Sequence, residues 1–130
     1  MGDIQNKAIA LVGHCGPDAF ALQSAVRGFI RGAEVHRVND QTKLHEMMPG
    51  LSLLLVNRVL DGEFEVESGI EFIRGLGDDA PPAMLISNFA DHLQASIEAG
   101  AQPGFGKQNM RSPEAEIALN NALAIGAENG

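Results

Sequence analysis

No tryptophan and no tyrosine occur in these 130 residues; all six aromatic residues are phenylalanine. A stacked cofactor ring such as a flavin has no Trp or Tyr to flank it, and the core must be largely aliphatic. One cysteine, Cys15, excludes an intramolecular disulfide framework and a CxxC metal site. Basic residues are few, 9 Lys and Arg against 17 Asp and Glu, for a net charge of −8. They are scattered along the chain, so neither nucleic acid nor an anionic membrane is an expected partner. No apolar run approaches the length of a membrane span, and no secretory leader precedes the first strand. Asn6 stands where a myristoylation signal after Met1-Gly2 needs Ser or Thr. A cytoplasmic protein is expected.

What is present is a well-mixed chain, 45% apolar, enough to build a core and too much for a disordered segment. Its length suits one domain over 1–130, with a core over about 6–125. Short apolar runs at 7–12, 33–38, 51–56, 83–86 and 101–105 read as strands. Helices are expected between them. Pro17 opens one whose apolar face is Ala19, Leu22, Val26, Phe29 and Ile30. Asp40 caps a second over 41–48, and Gly69 begins a third. Asn88 caps a fourth, with Phe89, Leu93 and Ile97 as its apolar stripe, and Ser112-Pro113 begins a fifth. Five β-α units imply an α/β fold with a parallel sheet covered on both faces. With right-handed crossovers, the expected architecture is the flavodoxin-like three-layer sandwich, strand order 2-1-3-4-5.

The third run, Leu51–Val56, is apolar nearly throughout, as a central parallel strand should be, and ends at Asn57. Strand four ends at Ser87, Glu98-Ala99-Gly100-Ala101 closes helix four, Phe105 ends strand five and Lys107 follows. In this order and at these separations the chain resembles, over nearly its whole length, the receiver domain of bacterial response regulators. The resemblance places Asn57 at the position of the phosphorylated aspartate and Ser87 at the hydroxyl residue that senses the phosphoryl group. Phe105 matches the switch aromatic, and Lys107 the lysine that pairs with the phosphorylated side chain.

The departures fall on the chemistry. Gly13 and His14 occupy the places of the two acids that bind Mg²⁺ in receivers. Gln108 follows Lys107 where the family has proline, and the loop 58–68 is longer than the family's. Phosphoryl transfer to a carboxylate needs an ionised oxygen nucleophile, a divalent cation and a positive group on the phosphoryl oxygens. Of these, only Lys107 is present. Asp18, in the first turn of helix one, does not simply replace the missing pair. Mg²⁺ binding is therefore expected to be weak or absent, with no other cofactor. The expected function is that of an atypical receiver in two-component-type signalling, not an enzyme and not phosphorylated at the usual position. It would act through a protein partner or as a homodimer through the face of helix four, strand five and helix five.

Each candidate has a plainer reading. Asn57 serves equally as a strand-end residue bonding loop backbone, Ser87 as a helix-entry residue and Phe105 as core. Lys107, without its acid partner, is expected to hold Asn57 or Ser87 in place or else to point to solvent. Two alternatives stay open: a receiver phosphorylated on a non-standard acceptor or metal site, and a thiol enzyme or redox sensor built on Cys15 beside His14, at a Gly-containing turn before a helix. The acidic loop 61–67 reads as a solvated face that could also attract a basic partner. His36, His45 and His92 fall on separate elements and suggest no metal site.

Overall fold

A computed structural model describes residues 7–129. Five parallel strands, β1 (Ala8–Val12), β2 (Glu34–Val38), β3 (Leu53–Asn57), β4 (Ala83–Ile86) and β5 (Gln102–Phe105), form one sheet in the order 2-1-3-4-5. The connecting helices are α1 (Gly16–Phe29), α2 (Gln41–Met47), α3 (Gly69–Arg74), α4 (Ala90–Glu98) and α5 (Pro113–Asn129). This is the flavodoxin-like architecture expected from the alternation of apolar runs and helical faces.

The central strands are buried on both faces, which is why their sequences are continuous apolar runs. Alternate side chains feed two cores. Ile9, Leu11, Leu53, Leu55, Met84, Ile86 and Phe105 pack under α1 and α5, together with Leu22, Val26, Leu119 and Leu123. Ala10, Val12, Leu54, Val56 and Leu85 pack under the other layer with Leu44, Phe72 and Ile73. Each fully buried Leu or Ile stabilises the fold by about 1.5–3 kcal/mol.

Local chemistry sets the helix starts. Asp40 Oδ1 accepts from Lys43 N at 2.9 Å, Ser68 Oγ from Glu71 N at 3.3 Å and Ser112 Oγ from Ala115 N at 3.1 Å. Gly69 is required where α3 begins, because a Cβ there would lie 1.9 Å from Asn57 O. This close approach brings the start of α3 against the end of β3.

Helix α4 departs from expectation twice. Its N-cap is Phe89, not Asn88, whose Oδ1 instead accepts from Gln108 N at 3.0 Å and ties the β4 exit to the β5 exit. The apolar stripe also turns outward: Phe89 is 64% and Ile97 40% exposed, with Leu93 half-buried. The buried position of α4 is Ser96, whose hydroxyl donates to Leu93 O at 2.7 Å and so enters the core satisfied.

Candidate functional site

The C-terminal ends of β1, β3 and β4 and the turn after β5 bring Gly13, His14, Asn57, Ser87 and Lys107 to one end of the sheet. Asn57, Ser87 and Lys107 border a small cavity of about 180 Å³, together with Arg58, Asn88 and Phe89. Phe105 stays in the α1–α5 core and is 6% exposed.

Asn57 Nδ2 donates to Gly13 O at 2.9 Å and to Val59 O at 2.8 Å. Both partners are carbonyls, so the amide nitrogen and not the oxygen must face them. The side chain joins the exit of β1 to the loop after β3. A carboxylate here would set an acceptor against two acceptors.

Gly13 has φ +75°, a left-handed conformation that L side chains rarely adopt, and a Cβ there would lie 2.6 Å from Leu60 Cδ2. The position lacks a side chain because the packing of the following loop has filled its space. His14 is fully buried, and its Nε2 donates to Leu55 O at 2.9 Å. That fixes the tautomer, since a carbonyl only accepts, and leaves Nδ1 a bare lone pair with no protein partner among the described residues. Burial pushes the imidazole pKa down to about 4, with the charges of Lys107 and Arg37 helping and the Leu55 bond and Asp18 opposing. His14 is thus a neutral core residue at neutral pH. Its carbonyl accepts from Arg37 Nε at 3.1 Å and from Asn39 Nδ2 at 3.0 Å, two residues at the end of β2 with no signal in the sequence.

Lys107 does not hold Asn57 or Ser87. Its Nζ lies 2.7 Å from Asp18 Oδ2, across from the first turn of α1. The Lys107 hydrogen bond is the main cause holding the Asp18 carboxyl below its ordinary range; desolvation opposes it and the Cys15 thiol adds a further hydrogen bond. Asp18 is the residue whose part sequence reasoning missed, because the pairing spans 89 positions. Ser87 Oγ is 3.0 Å from His92 Nδ1 and accepts from Phe89 N at 3.3 Å, a helix-entry arrangement. Cys15 is exposed, whereas His14 is turned inward, so the two do not form a thiol–imidazole pair.

The fold is shared with solved receiver domains. The chain aligns with the signal receiver domain of a DNA-binding response regulator from Colwellia psychrerythraea 34H at TM-score 0.71 and 12% identity, covering 92% of this chain and 99% of that one. With a CheY-like receiver domain protein from Methanospirillum hungatei JF-1 the values are 0.66 and 17%, covering 97% and 100%. With a response regulator from Burkholderia pseudomallei, whose structure carries a phosphorylated aspartic acid and a calcium ion, they are 0.62 and 16%, covering 97% and 74%. No protein-family model and no curated protein matches the sequence. At these identities the likeness is one of fold alone.

A divalent cation of the kind receivers use does not fit the donors at this end of the sheet. Gly13 supplies no side chain, His14 is buried and Asn57 presents N–H groups to the carbonyls. The Asp18 carboxylate is bound to Lys107, and that of Asp61 lies 4.0 Å from Arg37. Hard cations of this type need several oxygen ligands. Among the described residues no helix is long and apolar enough to cross a membrane.

Proposed function

We propose that the chain is an atypical receiver module of two-component-type signalling that is not phosphorylated at position 57 and acts through protein contacts in the cytoplasm. The observation that carries this reading is the Asn57 amide, spent on the Gly13 and Val59 carbonyls. It is neutral, it is not a nucleophile, and its N–H groups stand where oxygen ligands would have to converge. The ionised nucleophile and the carboxylate ligands for a divalent cation are missing at residue 57, and Lys107, the positive group, is engaged by Asp18. No cofactor and no enzymatic step is needed for such a role.

The partner-facing surface in this reading is the face of α4, β5 and α5. Phe89 at the N-cap of α4 and Ile97 near its end support it as exposed apolar side chains open to a partner. Phe89 also borders the cavity beside Asn57 and Lys107, so the surface and the old centre share a residue. The same face would serve a homodimer. Incubation with acetyl phosphate and Mg²⁺, followed by intact mass measurement, tests the reading: the expected spectrum is unchanged, and an adduct on Asn57 or its neighbours would overturn it.

A second reading has one observation in its favour. Asp18 is an ionised, partly exposed carboxylate already in contact with Lys107, so a receiver with a displaced acceptor would use it. An adduct that disappears in Asp18→Asn would establish that reading in place of the first.

A further inference from the structure

A second cavity, larger than the one beside Asn57 and sharing no residue with it, lies elsewhere in the fold. It is a groove of about 590 Å³ between α2 and α3. Gln41, Leu44, His45, Met48 and Pro49 form one wall, spaced as a single helical face continued into the turn after α2. Phe72 and Leu76, on α3 and just beyond it, form the other. The spacing gives a trough about 12 Å long at 1.5 Å per residue. Its floor is apolar and its rim is acidic: Glu65, Glu71 and Asp79 line it, with no Lys or Arg among the lining residues. Arg74 pairs with Glu71, which leaves Glu65 and Asp79 as the charges facing a ligand.

The loop that carries Glu65 is built into the fold. Glu63 N donates to Asn39 O at 2.9 Å, and Gln41 N to Glu63 O at 2.8 Å. Glu65 N donates to Gln41 Oε1 at 2.7 Å, and Phe64 packs edge-on against Phe72. These contacts hold Glu65 and the exposed Val66 at the mouth of the groove. The acidic loop is thus an ordered wall.

We propose that this groove docks an amphipathic helix of a partner protein, apolar side chains in the trough and Lys or Arg against Glu65 and Asp79. Charge complementarity selects a basic occupant. The gap lies within a helical layer, so a helix fits it, and Met48 supplies the adaptable lining such surfaces use. The proposal rests on the reading of the chain as a protein-contact module, and is independent of whether any residue takes a phosphoryl group.

The test is an NMR titration of the intact chain with two synthetic helical peptides of about four turns. Both carry Leu at i, i+3, i+4 and i+7; one has Lys and the other Glu on its flanks. The Leu/Lys peptide is expected to bind saturably, with shifts centred on Leu44, Met48, Phe72 and Leu76. A Glu65→Gln, Asp79→Asn double variant should weaken it about fivefold or more. No saturable binding, equal binding of the Leu/Glu peptide, or an unchanged affinity in the double variant overturns the proposal. Shifts centred on Phe89 and Ile97 overturn it too, while leaving the protein-contact reading intact.

Discussion

Lys107 Nζ stands 2.7 Å from Asp18 Oδ2, so the lysine after β5 is anchored to helix α1 and not to the exit of β3. Both side chains are about one-third exposed, and water screens such a pair. Asp18→Asn is expected to change unfolding free energy by less than about 1 kcal/mol. The lowered Asp18 pKa means its contribution is present above the unfolded carboxyl value and is lost as pH falls through the folded one. Urea unfolding of wild type and Asp18→Asn at neutral pH and in acid measures both effects.

Asn57→Asp removes two N–H donors and sets a carboxylate oxygen beside Gly13 O and Val59 O. The expected cost is about 1–3 kcal/mol, from the loss of both amide hydrogen bonds and from repulsion among the oxygens, with Gly13 O keeping its bond from Asp61 N. No phosphoryl adduct is expected either, because the substitution restores the nucleophile without its cation. Urea midpoints and intact mass after acetyl phosphate treatment check the two halves separately.

The buried imidazole of His14 predicts a pH dependence. Its folded pKa, about 4, lies below the ordinary histidine value of 6.5, so the unfolded chain takes up the proton first. Stability is full above about pH 6.5, declines as pH falls below it, and the loss is complete below about pH 4. The shift corresponds to a loss on the order of 3 kcal/mol. In His14→Gln the slope of urea midpoint against pH between these values should flatten; an unaltered slope would place its origin elsewhere.

Gly13→Asp, the substitution that would begin to rebuild an acidic pair, is expected to destabilise the fold by at least about 1–3 kcal/mol. The position has φ +75° and Leu60 fills the space of its side chain. Thermal unfolding of Gly13→Asp beside Gly13→Ala would show the penalty to be steric, since both should fall together.

The architecture was legible because each strand is an apolar run bounded by Gly, Pro or a capping residue, and α/β alternation leaves few topologies. The convergence of Asn57, Ser87 and Lys107 followed from that topology. The Lys107–Asp18 pair did not, since a lysine can reach either neighbour and only packing decides. Helix α4 misled for a similar reason. Phe89, Leu93 and Ile97 have core spacing, yet Ser96 holds the buried place because its hydroxyl bonds to Leu93 O. The order of the 58–68 loop was also hidden: its polar sequence carries no period, and its pairings with Asn39 and Gln41 are non-local.

The 58–68 loop also runs between two sites. It starts at the Asn57 amide, which grips Val59 O, and reaches the mouth of the α2–α3 groove at Glu65 and Val66. Between these ends it is fastened to Gly13 through Asp61 N and to Asn39 through Glu63 N. The chain therefore carries one continuous loop, fastened at several points along its length, between two places on its surface.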